Sequence, residues 1–180
     1  AEALESDLLL ILADVSDSPE ELERKLFTSR NEVFTRFYGE EIDEEFPWQS
    51  VDTSMVNHVL TVLTKCDQAT ESQKEEGIAT VAALGLPEPI LISSHTGDGM
   101  QELKDSILFR LFGPPQELLL LPVPAHGGRA VEGLVSDVYD AGLVSNRIDH
   151  ADGIVELRVW IHEHALARLL AHSQHRIEVK

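Results

Sequence analysis

The chain has 180 residues, 43% hydrophobic and 26% charged, so it can bury one good core or two small ones as a globular protein. Its formal net charge of −18 opposes free binding to nucleic acid, and no window approaches the ~18 apolar residues of a membrane span. We therefore expect neither DNA nor a membrane as a partner, and the single cysteine, Cys66, excludes an internal disulfide.

The chain opens with a predicted strand followed by a predicted helix. Residues 8–13 form a continuous apolar run, which is typical of a parallel strand covered on both faces. A helix start follows: Ser18 can be the N-cap, Pro19 suits the first helical position, and Glu21 completes a capping box with Ser18. Because residues 1–18 resemble the tail of a helix leading into a strand, we expect the chain to begin inside a fold, as part of something longer.

Alternating strands and helices continue to residue 115. The stretch 37–57 is acidic and has no clear period, so we predict a loop-like acidic insertion there. Strands are predicted at 58–64 and 89–93, and helices at 71–85 and 97–112. Three strands alternating with three helices indicate a partial parallel sheet with flanking helices, and we assign residues 1–115 to this first domain.

Residues 116–180 show a second pattern. Predicted elements follow the order strand, helix, strand, strand, helix, strand, which is the order of a ferredoxin-like unit. We therefore predict an α/β protein whose first domain is followed by a small α+β ferredoxin-like domain. The predicted elements are 118–123, 127–142, 143–149, 153–161, 163–172 and 176–179, with a turn at Asp152-Gly153.

Polar residues follow each strand of the first domain. Because ligands bind at the carboxyl ends of the strands in an open parallel sheet, we expect these residues to meet at one edge. Asp14 can position a loop of such a site or cap the helix that follows it. The residues at the three ends are Asp14; Thr64, Lys65, Cys66 and Asp67; and Ser93, Ser94 and His95.

The residues at these strand ends fit the donors and acceptors of a guanine base. The carboxylate of Asp67 could accept the N1–H and the exocyclic amino group together, and a backbone N–H of the loop at 93–97 could meet O6. The stem of Lys65 could cover one ring face. Adenine would leave Asp67 badly paired. The alternative is an ordinary solvated turn after a strand.

Five stretches resemble GTPase sequences: two resemble motifs of translation-factor GTPases, and three resemble the HflX family of that class. "LTKCD" (63–67) resembles the N/T-K-x-D guanine motif of translation-factor GTPases, and "SSHTGDGMQEL" (93–103) resembles their S-A-K/L loop. "ESDLLLILADVSDSPEE" (5–21) resembles a stretch of the HflX family. Residues 118–144 and 152–169 resemble the C-terminal module of that family.

The resemblance implies the C-terminal part of a P-loop-type GTPase domain, followed by the family's C-terminal module. It implies GTP or GDP with Mg²⁺ as cofactors, and the large ribosomal subunit, through its RNA and its ribosomal or assembly proteins, as partner in assembly, splitting or rescue. A cytoplasmic or mitochondrial-matrix location follows, mitochondrial if the source is eukaryotic. The implied guanine-binding residues are Thr64, Lys65, Asp67, Ser93, Ser94 and His95.

The sequence departs from the family pattern in several places. It contains neither the phosphate loop G-x-x-x-x-G-K-[ST] nor the switch motif D-x-x-G, so we expect the phosphate and Mg²⁺ ligands outside this segment and no hydrolysis by it alone. Thr64 replaces the commoner asparagine, and His95 replaces lysine or leucine. A rival hypothesis is a non-catalytic ribosome-assembly or protein-interaction module with a degenerate GTPase fold.

Two further hypotheses are disfavoured. Cys66 with His95 as its base would form a nucleophilic pair, but Cys66 occupies the variable position of the motif, which favours a packed side chain. Zinc ligation by histidines is disfavoured because their spacing straddles a strand end and a helix without a cysteine. These histidines are His162, His164, His172 and His175.

Overall fold

The structure, a computed structural model, describes residues 8–38, 58–122, 129–173 and 175–180. The chain divides into two compact units, Ala1–Arg110 and Leu111–Lys180. The sequence predicts this division slightly later, after residue 115. Within the described ranges, no helix has the length and apolar character required to cross a membrane.

The first unit contains a three-stranded parallel sheet with the strand order β1-β2-β3. Helices alternate with the strands along the chain, which confirms the predicted parallel sheet with flanking helices. The strands are β1 (Leu9–Asp14), β2 (Val59–Thr64) and β3 (Ile90–Leu91), and the helices are α1 (Pro19–Tyr38), α2 (Glu71–Ala83) and α3 (Met100–Phe112).

Strand β2 is buried on both faces, as its apolar sequence predicts. On one face, Leu63 packs in a cluster with Leu26 of α1 and Val81 of α2. On the other face, Val62 lies in a second cluster, against which Leu103 of α3 packs. The central strand is therefore held from both sides, and its end has a fixed position.

Several element ends differ from their predicted positions. Helix α1 continues to Tyr38, two residues into the predicted acidic insertion, and 39–57 lie outside the described residues. Helix α3 begins at Met100 rather than residue 97, because Gly97 and Gly99 have φ angles of 88° and 68°, which a right-handed helix excludes.

The second unit contains a four-stranded antiparallel sheet with the strand order β5-β6-β4-β7. Its elements follow the order β-α-β-β-α-β, as predicted. They are β4 (Gln116–Leu120), α4 (Arg129–Ala141), β5 (Leu143–Asp149), β6 (Val155–Trp160), α5 (Glu163–His172) and β7 (Ile177–Val179).

The core of the second unit lies between this sheet and its two helices. Leu118 and Leu157 are fully buried there with Val138 of α4 and Ala165 of α5. The predicted turn between β5 and β6 is confirmed: Gly153 has a φ of 84°, and its backbone N–H donates to the carbonyl of His150 at 3.0 Å.

Candidate functional site

The ends of β1 and β2 are tied together. Asp14 lies opposite Thr64 in the parallel register. The hydroxyl of Thr64 donates to the carbonyl of Ala13 at 3.2 Å, and the N–H of Val15 donates to the carbonyl of Thr64 at 3.1 Å. Thr64 therefore secures the strand ends, and its hydroxyl points back toward β1.

The ends of β2 and β3 are joined by hydrogen bonds beyond the last residue of β3. The N–H of Ile92 donates to the carbonyl of Leu63 at 2.8 Å, and the N–H of Cys66 donates to the carbonyl of Ile92 at 3.1 Å. Nδ1 of His95 lies 3.9 Å from Oδ2 of Asp67. The structure thus brings together the residues after β2 and β3, as the sequence predicts.

Lys65 connects the β2 end to the β1 end. Its φ of 57° places it in the left-handed region, and its ammonium forms an ion pair with Asp14. Asp14 also accepts from the backbone N–H of Ser16 at 2.9 Å and from its hydroxyl at 2.6 Å. The structure therefore pairs Asp14 with Lys65, while Ser18 caps α1 by accepting from the N–H of Glu21 at 3.3 Å.

This ion pair changes the acidity of both partners. Desolvation acts to raise the pKa of Asp14, but the hydrogen bonds from Lys65 and Ser16 outweigh it and leave the pKa below its ordinary value. The hydrogen bond to Asp14 raises the pKa of Lys65. Both groups are therefore charged at neutral pH, and the lysine is held over the strand ends.

The loop after β3 is organised by the buried side chain of Ser93. Its hydroxyl accepts from the N–H groups of His95 and Thr96, at 3.2 and 3.1 Å. The N–H of Ser93 donates to the carbonyl of Asp98, and that of Gly97 to the carbonyl of Ser93, both at 2.9 Å. Among residues 93–97, all of which the structure describes, Ser94 is the residue whose N–H has no hydrogen bond.

Gly99 lets this loop close against β3. A Cβ added there would lie 1.9 Å from the carbonyl oxygen of Leu91, and the residue has a φ of 68°. Next to it, the hydroxyl of Thr96 donates to Oδ2 of Asp98 at 2.7 Å. These loop-forming roles are not among the sequence predictions, although the T-G-D-G pattern of turn residues at 96–99 is a signal for them.

The other candidate residues lie in the second unit. The rings of His162 and His164 stack with centroids 5.6 Å apart, and Nδ1 of His172 lies 2.7 Å from the carbonyl oxygen of Arg168. Among the residues that the structure describes, no group of three or more histidines, cysteines or acids is arranged to hold a metal ion.

Comparison with known proteins does not identify a family. No protein-family model matches the chain, and no curated protein sequence matches it. The chain is therefore characterised as an α/β protein with a three-stranded parallel sheet and a four-stranded antiparallel sheet. The polar residues that could bind a ligand lie in the loops at the ends of its parallel strands.

Proposed function

We propose that the loops at the carboxyl ends of β2 and β3 bind the base of a guanine nucleotide. The observation that carries this proposal is the hydrogen bond from Cys66 to Ile92, which sets Asp67 beside the loop of Ser93. Two polar loops at neighbouring ends of parallel strands occupy the usual ligand position in an open α/β sheet.

Each loop supplies a complementary part of guanine recognition. The carboxylate of Asp67 accepts from the N1–H and the exocyclic amino group of the base. The N–H of Ser94 donates to O6, because the other N–H groups of residues 93–97 already bond within the loop. Lys65, held by Asp14, covers one face of the ring with its apolar stem.

The resemblance to the HflX family extends this proposal to the whole protein. The order β7-β4-β6-β5, with its β-α-β-β-α-β connectivity, supports a ferredoxin-like C-terminal module. The first unit would be the C-terminal part of a P-loop-type GTPase domain. The partner would be the large ribosomal subunit, through its RNA and its ribosomal or assembly proteins, in the cytoplasm or the mitochondrial matrix.

Under this proposal, residues outside this segment would carry out the hydrolysis of GTP. The reaction would be attack of water on the γ-phosphate of GTP, with phosphate and Mg²⁺ ligands from a phosphate loop. The 180-residue sequence has no such motif, so this segment would select the base. The rival function, a non-catalytic interaction module, is favoured by that same missing motif.

A substitution that changes the preferred base tests the proposal that Asp67 binds guanine. In Asp67→Asn, one acceptor becomes a donor that faces the amino group of guanine, whereas xanthine offers a carbonyl at that position. We expect calorimetric titration of the complete protein to show that GDP binding weakens about 10–100-fold and that xanthosine diphosphate binding strengthens.

The control is Asp105→Asn on α3, where the carboxylate accepts from the side chain of Gln101 at 3.0 Å. This change should leave GDP binding intact. A folded complete protein that binds no GDP, or binds GDP and ATP equally, contradicts the proposal. The first of these results would favour the non-catalytic module.

A further inference from the structure

A groove separates the two helices of the second unit. Its volume is about 340 Å³. Ala141 and Leu169, which also pack against the core of the unit, provide its apolar surface. Asp137 and Asp140 of α4 and Arg168 and His172 of α5 complete the lining.

The two walls of this groove carry opposite charge. Asp137 and Asp140 are three residues apart on α4, and Arg168 and His172 are four residues apart on α5, so each pair lies on one side of its helix. All four residues are exposed. In the described part of the chain, no ion pair joins the carboxylates to Arg168 across the groove.

The absence of pairing across the groove contrasts with the first turn of α4. There Glu132 forms an ion pair with Arg147 at 2.8 Å, and Arg147 also contacts Asp149 at 2.7 Å. The charges of the groove walls are thus available to an external partner. A partner of a single charge sign would match one wall and oppose the other.

We propose that this groove is the docking surface for a second copy of the chain. A two-fold axis that runs along the groove, parallel to its walls, would place the acidic wall of one copy against the basic wall of the other, twice. The two apolar strips would meet between these rows of charge, which is the arrangement of a buried centre with a polar rim. The proposal does not depend on nucleotide binding.

The size of the surface sets the strength of the dimer. Helices of 13 and 10 residues are about 20 and 15 Å long. Their shared face is smaller than the ~800 Å² that each partner contributes to a standard stable interface. The dimer is therefore weak and reversible, with a dissociation constant in the micromolar range.

Variants in which the charge of one wall is reversed test this interface. Sedimentation velocity at protein concentrations up to about 100 µM measures their dimerisation. One variant carries Asp137→Lys and Asp140→Lys, which gives both walls positive charge. The other carries Arg168→Glu, which removes the positive side chain opposite the aspartates. Each variant alone should dimerise at least tenfold more weakly than the parent protein, because like charges then face each other.

Mixing the two variants should restore dimerisation, because both contacts across the axis are again between opposite charges. Glu23→Lys with Glu75→Lys, on exposed positions of the first unit, changes the net charge as much as the lysine variant and should dimerise like the parent protein. Circular dichroism verifies that each variant is folded. A monomeric parent protein, undiminished association in both variants, or a mixture that remains monomeric would overturn the proposal.

Discussion

Two glycines of the loop after β3 have similar backbone conformations and different surroundings. Gly97 and Gly99 have φ angles of 88° and 68°. A Cβ at Gly97 would have no atom within 4 Å, whereas a Cβ at Gly99 would lie 1.9 Å from the carbonyl oxygen of Leu91. Alanine substitutions at these two positions therefore separate the free-energy cost of a left-handed backbone conformation from that of a steric clash with β3.

We expect Gly97→Ala to lower the free energy of unfolding by about 1–2 kcal/mol, because its only cost is that of holding an alanine in a left-handed backbone conformation. We expect Gly99→Ala to lower it by about 3 kcal/mol or more, because the loop must also move away from β3. Urea denaturation followed by circular dichroism measures both values. Equal losses would mean that the close approach to Leu91 is not maintained in solution.

The candidate site was partly predictable at this scale. The sequence places Asp67 and the loop of Ser93 at neighbouring strand ends, and the structure brings them together. The sequence does not indicate that the backbone of Lys65 has a left-handed conformation or that its ammonium pairs with Asp14. A positive φ at a residue other than glycine depends on the surrounding hydrogen bonds, which composition does not encode.

Among the elements, β2 contains one polar group in an otherwise apolar interior. Thr61 is fully buried, and in the described part of the chain its hydroxyl makes no hydrogen bond. Thr64, three residues later on the same strand, donates its hydroxyl to the carbonyl of Ala13 at 3.2 Å. One strand thus offers an unsatisfied hydroxyl and a satisfied one.

We predict that Thr61→Val stabilises the protein by about 1 kcal/mol, since valine has a similar shape and leaves no buried polar atom without a partner. Thr64→Val should destabilise it by about 1 kcal/mol through the lost hydrogen bond. Both free energies of unfolding follow from chemical denaturation. A destabilised Thr61→Val protein would show that its hydroxyl has a partner.

Element types were more predictable than element ends. Apolar runs and helical periodicity predict the strands and helices of both units, because burial decides them. The predicted third strand at 89–93 is reduced to Ile90–Leu91, in a segment where Pro87 and Pro89 lack the N–H that a ladder needs. Strand β4 begins at Gln116, before its apolar run, because Gln116 pairs with Val159 of β6.

Across the whole molecule, the hydrophobic interior consists of clusters that share no residue. Leu26 belongs to a cluster of the first unit, and Leu157 belongs to the cluster of the second. Both side chains are fully buried. Substitution of either residue should therefore affect primarily the unit that contains it.

We predict that Leu26→Ala and Leu157→Ala each cost about 2–5 kcal/mol, because each leaves a cavity in a packed core. Hydrogen exchange with mass spectrometry should show faster exchange in residues 8–38 and 58–110 for the first variant. For the second variant, the faster exchange should fall in 111–122 and 129–180. An equal increase in both units for either change would show that they open together.

The position of Cys66 gives the protein a built-in reporter. Its thiol is the only one in the sequence, is 7% exposed, and lies at the junction where the loops after β2 and β3 are hydrogen-bonded. Because this side chain packs in the cluster that contains Leu26 and Val81, a thiol reagent can label it only when that cluster opens. The labelling rate measures how often this part of the first unit opens, without the introduction of a second cysteine.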